Sequence, residues 1–287
     1  MSYLKKLCRA LTIGTLALGM WFFVGHPVYA GNVVLTGHDD ELHQSTAAQA
    51  QALGMISLAR AGSTDPTLPV LSFDHGSQLT GLLTTLGIPF DNVDPNSGVP
   101  GASLFDPTLY SAMVVASDQS CGGCDNDASS SANLAAASGD IAHFFNGGGG
   151  IVAFAGAENA SYYSFLPASA TNPGIAFDDS AFTQTAAGLA NGVPAVNGDF
   201  PHNYFNFPGV GGMSTSWIPY ETYTGTSSNG DLINQPFTVG ITSGTISGGD
   251  ITGGGASVPE PSSLLLLGAG LVGLAARMAT GVSRPRR

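Results

Sequence analysis

Near each end the chain carries a long apolar run; between the two, apolar positions come in short blocks separated by polar turns. Asn32-Val33-Val34-Leu35-Thr36 reads as a short buried strand ending at Gly37. Ser45 or Thr46 is placed to cap a helix running through Ala47 to Arg60, which Gly62 stops. Val70 to Phe73 predicts a second strand, Ser77 to Leu86 a helix, and Ile88 to Val93 a third strand. Ser111 to Ser117, around Met113-Val114-Val115, is a further apolar strand. A helix over about Ser130 to Phe145, the glycines 147–150 and a strand from Ile151 to Ala155 follow. These strands are apolar at nearly every position, the pattern of strands covered on both faces. Their alternation with helices predicts a three-layer, Rossmann-like α/β domain with a mainly parallel sheet. Residues 160–224 are less regular and are expected to wrap around one sheet edge.

The two terminal runs have a different meaning. Lys5, Lys6 and Arg9 precede an uncharged apolar stretch from Ala10 to Val24, and Val28-Tyr29-Ala30 offers small residues at −3 and −1. That is the three-part layout of a secretory signal, so residues 1–30 are expected to form a signal helix that is cleaved before Gly31. Cys8 precedes the apolar run and so is not a lipobox cysteine. At the other end, residues 225–257 are rich in Gly, Ser and Thr, which is linker composition. Val258-Pro259-Glu260-Pro261 then leads into an apolar stretch, Leu264 to Ala276, and to Arg277, Arg284, Arg286 and Arg287. The prolines hold the backbone extended. The apolar stretch predicts a membrane helix at about 262–280 whose arginines stay on the cytoplasmic side. Residues 31–258, which include the expected domain at 31–224, would then lie outside the cytoplasm.

Pro259-Glu260-Pro261, an apolar helix and terminal arginines, in that order, resemble the PEP-CTERM sorting signal over residues 258–287. The resemblance implies recognition by an exosortase-type membrane peptidase and transient anchoring in the inner membrane. It also implies a final location in the cell envelope or outside the cell, in association with exopolysaccharide or biofilm. Arg277 departs from the pattern by interrupting the apolar run, and would snorkel or mark the helix end.

The strand entering Gly37-His38, the strands around 113–117 and 151–155, and Phe144-Phe145-Asn146-Gly147-Gly148-Gly149-Gly150 resemble the flavodoxin-like fold of the class I glutamine amidotransferase-like superfamily. In its amidotransferase members a cysteine nucleophile stands on a sharp turn after such a strand. The corresponding stretch here is Phe154-Ala155-Gly156-Ala157-Glu158, with neither Cys nor Ser. The nucleophile is not carried over, and with this departure from the family pattern a binding or scaffolding domain is expected. The alternative is a metal-assisted hydrolase acting on envelope carbohydrate or peptide.

Charge sharpens this reading. Between residues 31 and 258 a single cation, Arg60, stands against nineteen carboxylates, a formal charge of −18, whereas the whole chain carries −12. Such a field repels nucleic acid, which is excluded as a partner, and attracts cations. Calcium fits clustered oxygen donors, zinc fits histidine and cysteine. The same acidity also keeps an exported protein soluble.

In an open α/β sheet, ligands collect beyond the carboxyl ends of the strands. Three loops meet that condition: His38, Asp39, Asp40, Glu41 and His43; Asp118, Cys121, Cys124, Asp125 and Asp127; and Glu158 with Asn159. Candidate acid–base groups are His38, Asp39, His43, Glu158 and His202. Candidate metal ligands are Asp39, His38, His43 and Asp118. The first loop has a plainer reading as a turn whose Asp caps the next helix. Cys121-Gly122-Gly123-Cys124 is expected to close a small disulfide in an oxidising compartment, with zinc binding or a redox role as alternatives. Asp199 to Tyr204 forms a polar-aromatic patch in which His202 either completes a site or packs in a loop. Gly147 to Gly150 lacks the Lys and Ser/Thr of a phosphate loop.

Overall fold

A computed structural model describes residues 31–122, 124–170, 181–198, 202–210, 212–226 and 230–253. The expected signal helix, sorting motif Val258-Pro259-Glu260-Pro261 and membrane helix lie outside these residues. Among the described residues no helix is long and apolar enough to cross a membrane.

Strand β1 (Gly31–Thr36) leads through a one-turn helix, α1 (Asp40–His43), into α2 (Thr46–Ala61), where Ser45 accepts from the Ala48 N–H as the cap. Next come β2 (Val70–Phe73), α3 (Gln78–Thr85), β3 (Phe90–Val93) and β4 (Ala112–Val115). The helix expected over 130–145 is two helices, α4 (Ala128–Ala136) and α5 (Ser138–Asn146), separated at Ala137 just before Ser138-Gly139; β5 (Gly150–Ala153) follows. Asp127 caps α4 by accepting from the Ser130 N–H.

These five strands are parallel, in the order β3-β2-β4-β5-β1. Alternate side chains leave opposite faces of the sheet. Val33, Leu35, Met113, Val115 and Ile151 pack with Leu134, Ile141, Phe144 and Phe145 of α4 and α5. Val34, Val70, Val114 and Val152 pack with Met55, Ile56, Leu79 and Leu82 of α2 and α3. Helices therefore cover both faces, as continuous apolar strands require. Each such aromatic or branched side chain removed from water contributes about 1.5–3 kcal/mol.

The other half of the sheet corrects the expectation of a mainly parallel, flavodoxin-like arrangement. After β6 (Phe182–Gln184) and α6 (Ala186–Ala190), β7 (Ile218–Thr226) and β8 (Leu232–Ser247) form a long antiparallel pair, and β9 (Asp250–Thr252) returns on β8. β8 runs antiparallel beside β1, giving a mixed nine-stranded sheet that ends β1-β8-β7-β6. β1 lies between β5 and β8, not beside β2 as the flavodoxin order 2-1-3-4-5 demands.

The linker expected over 225–257 is therefore, through residue 252, largely strand. Its threonines suit a strand, and its glycines answer to packing. Gly240 pairs with Val34 beneath the Tyr220 ring, where an added Cβ would sit 2.5 Å from Tyr220 Cε2. Composition alone does not distinguish such a glycine from a flexible one.

Candidate functional site

The C-terminal ends of β1, β4 and β5 meet beneath two tyrosines from a 3₁₀ turn at Tyr162–Phe165. Tyr163 Oη contacts the Thr36 and Phe154 carbonyls at 3.1 and 2.9 Å, and Tyr162 Oη the Val115 and Ala116 carbonyls at 3.2 and 2.7 Å. Burial pushes both phenols far up, so they remain neutral donors. The three expected loops converge here. The Asp118 N–H donates to the Ala155 carbonyl, the Glu158 N–H to Ser120 Oγ, and Asn159 Nδ2 to Asp118 Oδ2 at 2.6 Å.

His202 arrives from a fourth segment. The Gly37 carbonyl accepts from both the His202 and Asn203 N–H groups, at 3.1 and 3.3 Å. That approach needs glycine: a Cβ on Gly37 would stand 1.6 Å from the Asn203 carbonyl oxygen. Asn203 Oδ1 in turn accepts from the Gly156 and Ala157 N–H groups.

Asp39 is the centre of the cluster so formed. It occupies the N-cap position of α1 but caps nothing with its side chain, which excludes the plainer reading of this turn. Its Oδ2 lies 3.0 Å from His202 Nε2, 3.3 Å from His43 Nε2 and 3.5 Å from Cys124 Sγ. Its Oδ1 is buried with no hydrogen-bond partner among the described residues. Asp39 is fully buried, whereas His43 is 41% exposed, so the cluster opens to solvent on the His43 side. Arg60, the sole Lys or Arg among the described residues, is remote in the fold and bonds to Ser111 Oγ and the Leu68 carbonyl near the other ends of the strands.

Glu41, two residues on, is also buried and accepts from the Ser117 N–H. Burial, reinforced by the Asp39 charge, pushes its carboxyl up to about 8, so at neutral pH it is mostly a neutral acid.

His38 goes elsewhere. Its ring packs between Phe182 and Phe237, with centroids 4.6 and 4.5 Å away, and its Nε2 lies 3.1 Å from Glu221 Oε2. The same Glu221 oxygen accepts from Thr238 Oγ1 and Gln51 Nε2, and Glu221 Oε1 accepts from the Val196 N–H. The His38 Nδ1, on the other side of the ring, is buried with no hydrogen-bond partner among the described residues. His38 thus fastens β1 to β7 and β8 and does not join Asp39. Asp118 is spent on Asn159 and on the Ser120 N–H and hydroxyl, and Glu158 is exposed. Glu221 carried no signal in the sequence, since it lies in a strand with no acidic neighbour; Asn203 stood in the patch 199–204, but nothing there pointed to its bonds with Gly156 and Ala157.

Cys121 and Cys124 are disulfide-bonded, with Cα atoms 6.0 Å apart. Two sets of donor atoms lie within 4.8 Å of one another: Asp39 with His43 and His202, and Asp39 with Cys121 and Cys124. Tetrahedral zinc bonds of about 2.0–2.1 Å place ligand atoms about 3.3 Å apart, close to the spacings from Asp39 to the two imidazoles. Two nitrogens and one oxygen suit zinc-type ions, whereas calcium takes oxygen throughout.

Residues 257–279 match the PEP-CTERM protein-sorting motif. This supports the resemblance seen in the tail and marks an exported protein of the cell envelope or surface, processed by an exosortase. No curated protein and no solved structure matches the chain.

Proposed function

We propose that the chain is a tail-sorted envelope protein whose acidic domain is a non-catalytic binding module, holding a zinc-type divalent cation at Asp39, His43 and His202. The observation that carries this reading is the meeting of two imidazole Nε2 atoms, 3.0 and 3.3 Å away, on one oxygen of a fully buried carboxylate. A cation there offsets the desolvation of Asp39 and supplies a partner to its second oxygen, in a region without Lys or Arg. The non-catalytic part rests on the turn after β5. It bears alanine at 155 and 157, and the N–H groups of Gly156 and Ala157, which could otherwise face a substrate oxyanion, are committed to Asn203. Association with exopolysaccharide follows from the tail resemblance, and the exported domain would act there.

Titration of the metal-stripped protein with zinc tests the reading: one equivalent bound by the wild type, and sharply weaker binding by His202→Ala, are expected. A wild type that binds no zinc overturns it. The second reading, a metal-assisted hydrolase of envelope carbohydrate or peptide, is favoured by the exposure of His43, since a catalytic zinc keeps one position open to water or substrate. Zinc-dependent release of reducing sugar or new amino termini from envelope material would select it.

A further inference from the structure

The Cys121–Cys124 disulfide is poorly explained as a staple. It closes a very short loop, which limits what a cross-link contributes. The loop is already clamped at its base: Asn126 donates its side-chain amide to the Phe73 and Ala116 carbonyls, its N–H donates to the Ser117 carbonyl, and its carbonyl accepts from the Gln119 N–H. Yet Cys124, only 7% exposed, holds its sulfur 3.5 Å from Asp39 Oδ2, the oxygen both imidazoles face. A disulfide sulfur has no hydrogen to give, so in the oxidised protein this contact sets two electron-rich atoms side by side. A thiol there would donate to the carboxylate, and a thiolate would share a cation with it.

We infer that the disulfide is a masked pair of metal ligands, with Cys124 the fourth ligand of the Asp39–His43–His202 site and Cys121 within reach of the same ion. This rests on the metal reading given above. Unmasking is a two-electron step. A small dithiol attacks the Cys121–Cys124 bond through a mixed disulfide. Its second thiol then resolves that bond, leaving the dithiol as a cyclic disulfide and the protein with two thiols. On metal binding Cys124 gives up its proton to solvent and forms the metal–sulfur bond. The site then changes from a three-ligand N₂O set, open to exchange, to a closed N₂OS set that favours soft ions. The Asp39 oxygen is common to both sets, lying within 4.8 Å of the two sulfurs and of the two imidazole nitrogens, so closing the N₂OS set draws the Cys124 sulfur towards His43 and His202 about a shared ligand.

Cobalt(II) and zinc titrations of the full chain, oxidised and after treatment with a phosphine reductant, test the inference. The expected result is zinc binding in both states, tighter by about tenfold or more after reduction. Thiolate-to-cobalt charge-transfer absorption should appear in the reduced protein alone. Cys121→Ser, which frees Cys124 without reductant, should show that absorption under all conditions. Cys124→Ser should bind zinc more weakly than Cys121→Ser and show a weaker band, from Cys121 alone. If the oxidised and reduced wild type bind zinc equally and no thiolate band develops, the masked-ligand inference is wrong while the three-ligand site stands. If neither state binds metal, both are wrong. Binding confined to the reduced protein upholds the masked ligands and overturns the three-ligand site.

Discussion

His38 and Asp39 are neighbours in sequence, both are fully buried, and they do opposite things. His38 sits in a network where Glu221 has donors on both oxygens and aromatic rings cover the imidazole, while its own Nδ1 has no hydrogen-bond partner among the described residues. Asp39 faces a cluster in which one of its oxygens has no partner and one flank, at His43, is open. Each leaves one buried atom without a hydrogen-bond partner among the described residues, but aromatic rings seal the first, whereas the second lies beside solvent, where a ligand can reach it. Burial of polar residues alone would have put both in one category.

The largest effect is expected of Glu221→Ala. It removes at once a buried carboxyl to which Gln51, Thr238 and the Val196 N–H donate and which His38 Nε2 faces, and should cost about 3–5 kcal/mol in urea unfolding. A loss below about 1 kcal/mol would mean that the His38 network does not hold the sheet together. Gly37→Ala acts on both regions. The added methyl collides with the Asn203 carbonyl, so a loss of about 1–3 kcal/mol is expected together with loss of zinc binding, because His202 is carried by the same segment. Unchanged zinc affinity in a folded Gly37→Ala protein would show that His202 is held in place by something other than this contact.

His202→Ala should do the reverse of Glu221→Ala. Zinc affinity should fall by at least about 100-fold, as even outer-shell partners of metal ligands cost about 10–100-fold. Stability of the metal-free protein should change by less than about 1 kcal/mol, because Asp39 retains His43. A large stability loss without change in calorimetric zinc binding would move Asp39 into the same category as His38.

The smallest effect is electrostatic and lies at the next loop. Burial, then the adjacent Asp125 carboxyl, raises Asp74 to about 6. Because the folded-state value is above the ordinary 3.8, the folded protein holds the Asp74 proton more tightly than the unfolded chain. Asp74 therefore favours folding below about pH 4, and that contribution is lost as pH rises through about 6. Asp125→Asn keeps a side-chain oxygen for the Gln78 N–H but removes the like charge. It should raise stability at pH 7 by up to about 1 kcal/mol relative to pH 4. Parallel urea curves for wild type and variant at both pH values would show the two carboxyls to be uncoupled.

Much of the parallel half was legible because its cause is local. A strand buried on both faces must be apolar at almost every residue, and Val33–Leu35, Val70–Phe73, Met113–Val115 and Ile151–Ala153 announce themselves. The order of those strands was not legible, since pairing β1 with β5 and β8 depends on contacts between segments more than a hundred residues apart. β8 was hidden by its composition: glycine is read as flexible until Tyr220 is seen lying on Gly240. In the site, Asp39 and His43 stood in one dense run, but assigning His38 to the same group assumed that adjacent residues point the same way.

What the sequence determined by itself is the chemistry at hand and its destination: an export signal's layout, a sorting tail, nineteen carboxylates against one cation, and two closely spaced cysteines. These are properties of local order and composition, which need no fold to be read. Only the tertiary structure decided which donors share a centre. It carried His202 across 163 positions to Asp39, took His38 to Glu221 instead, and set a disulfide sulfur against a buried carboxylate. The physical reason is that a binding site is a matter of distances of a few ångströms, and in this chain those distances are set by which strand ends lie side by side.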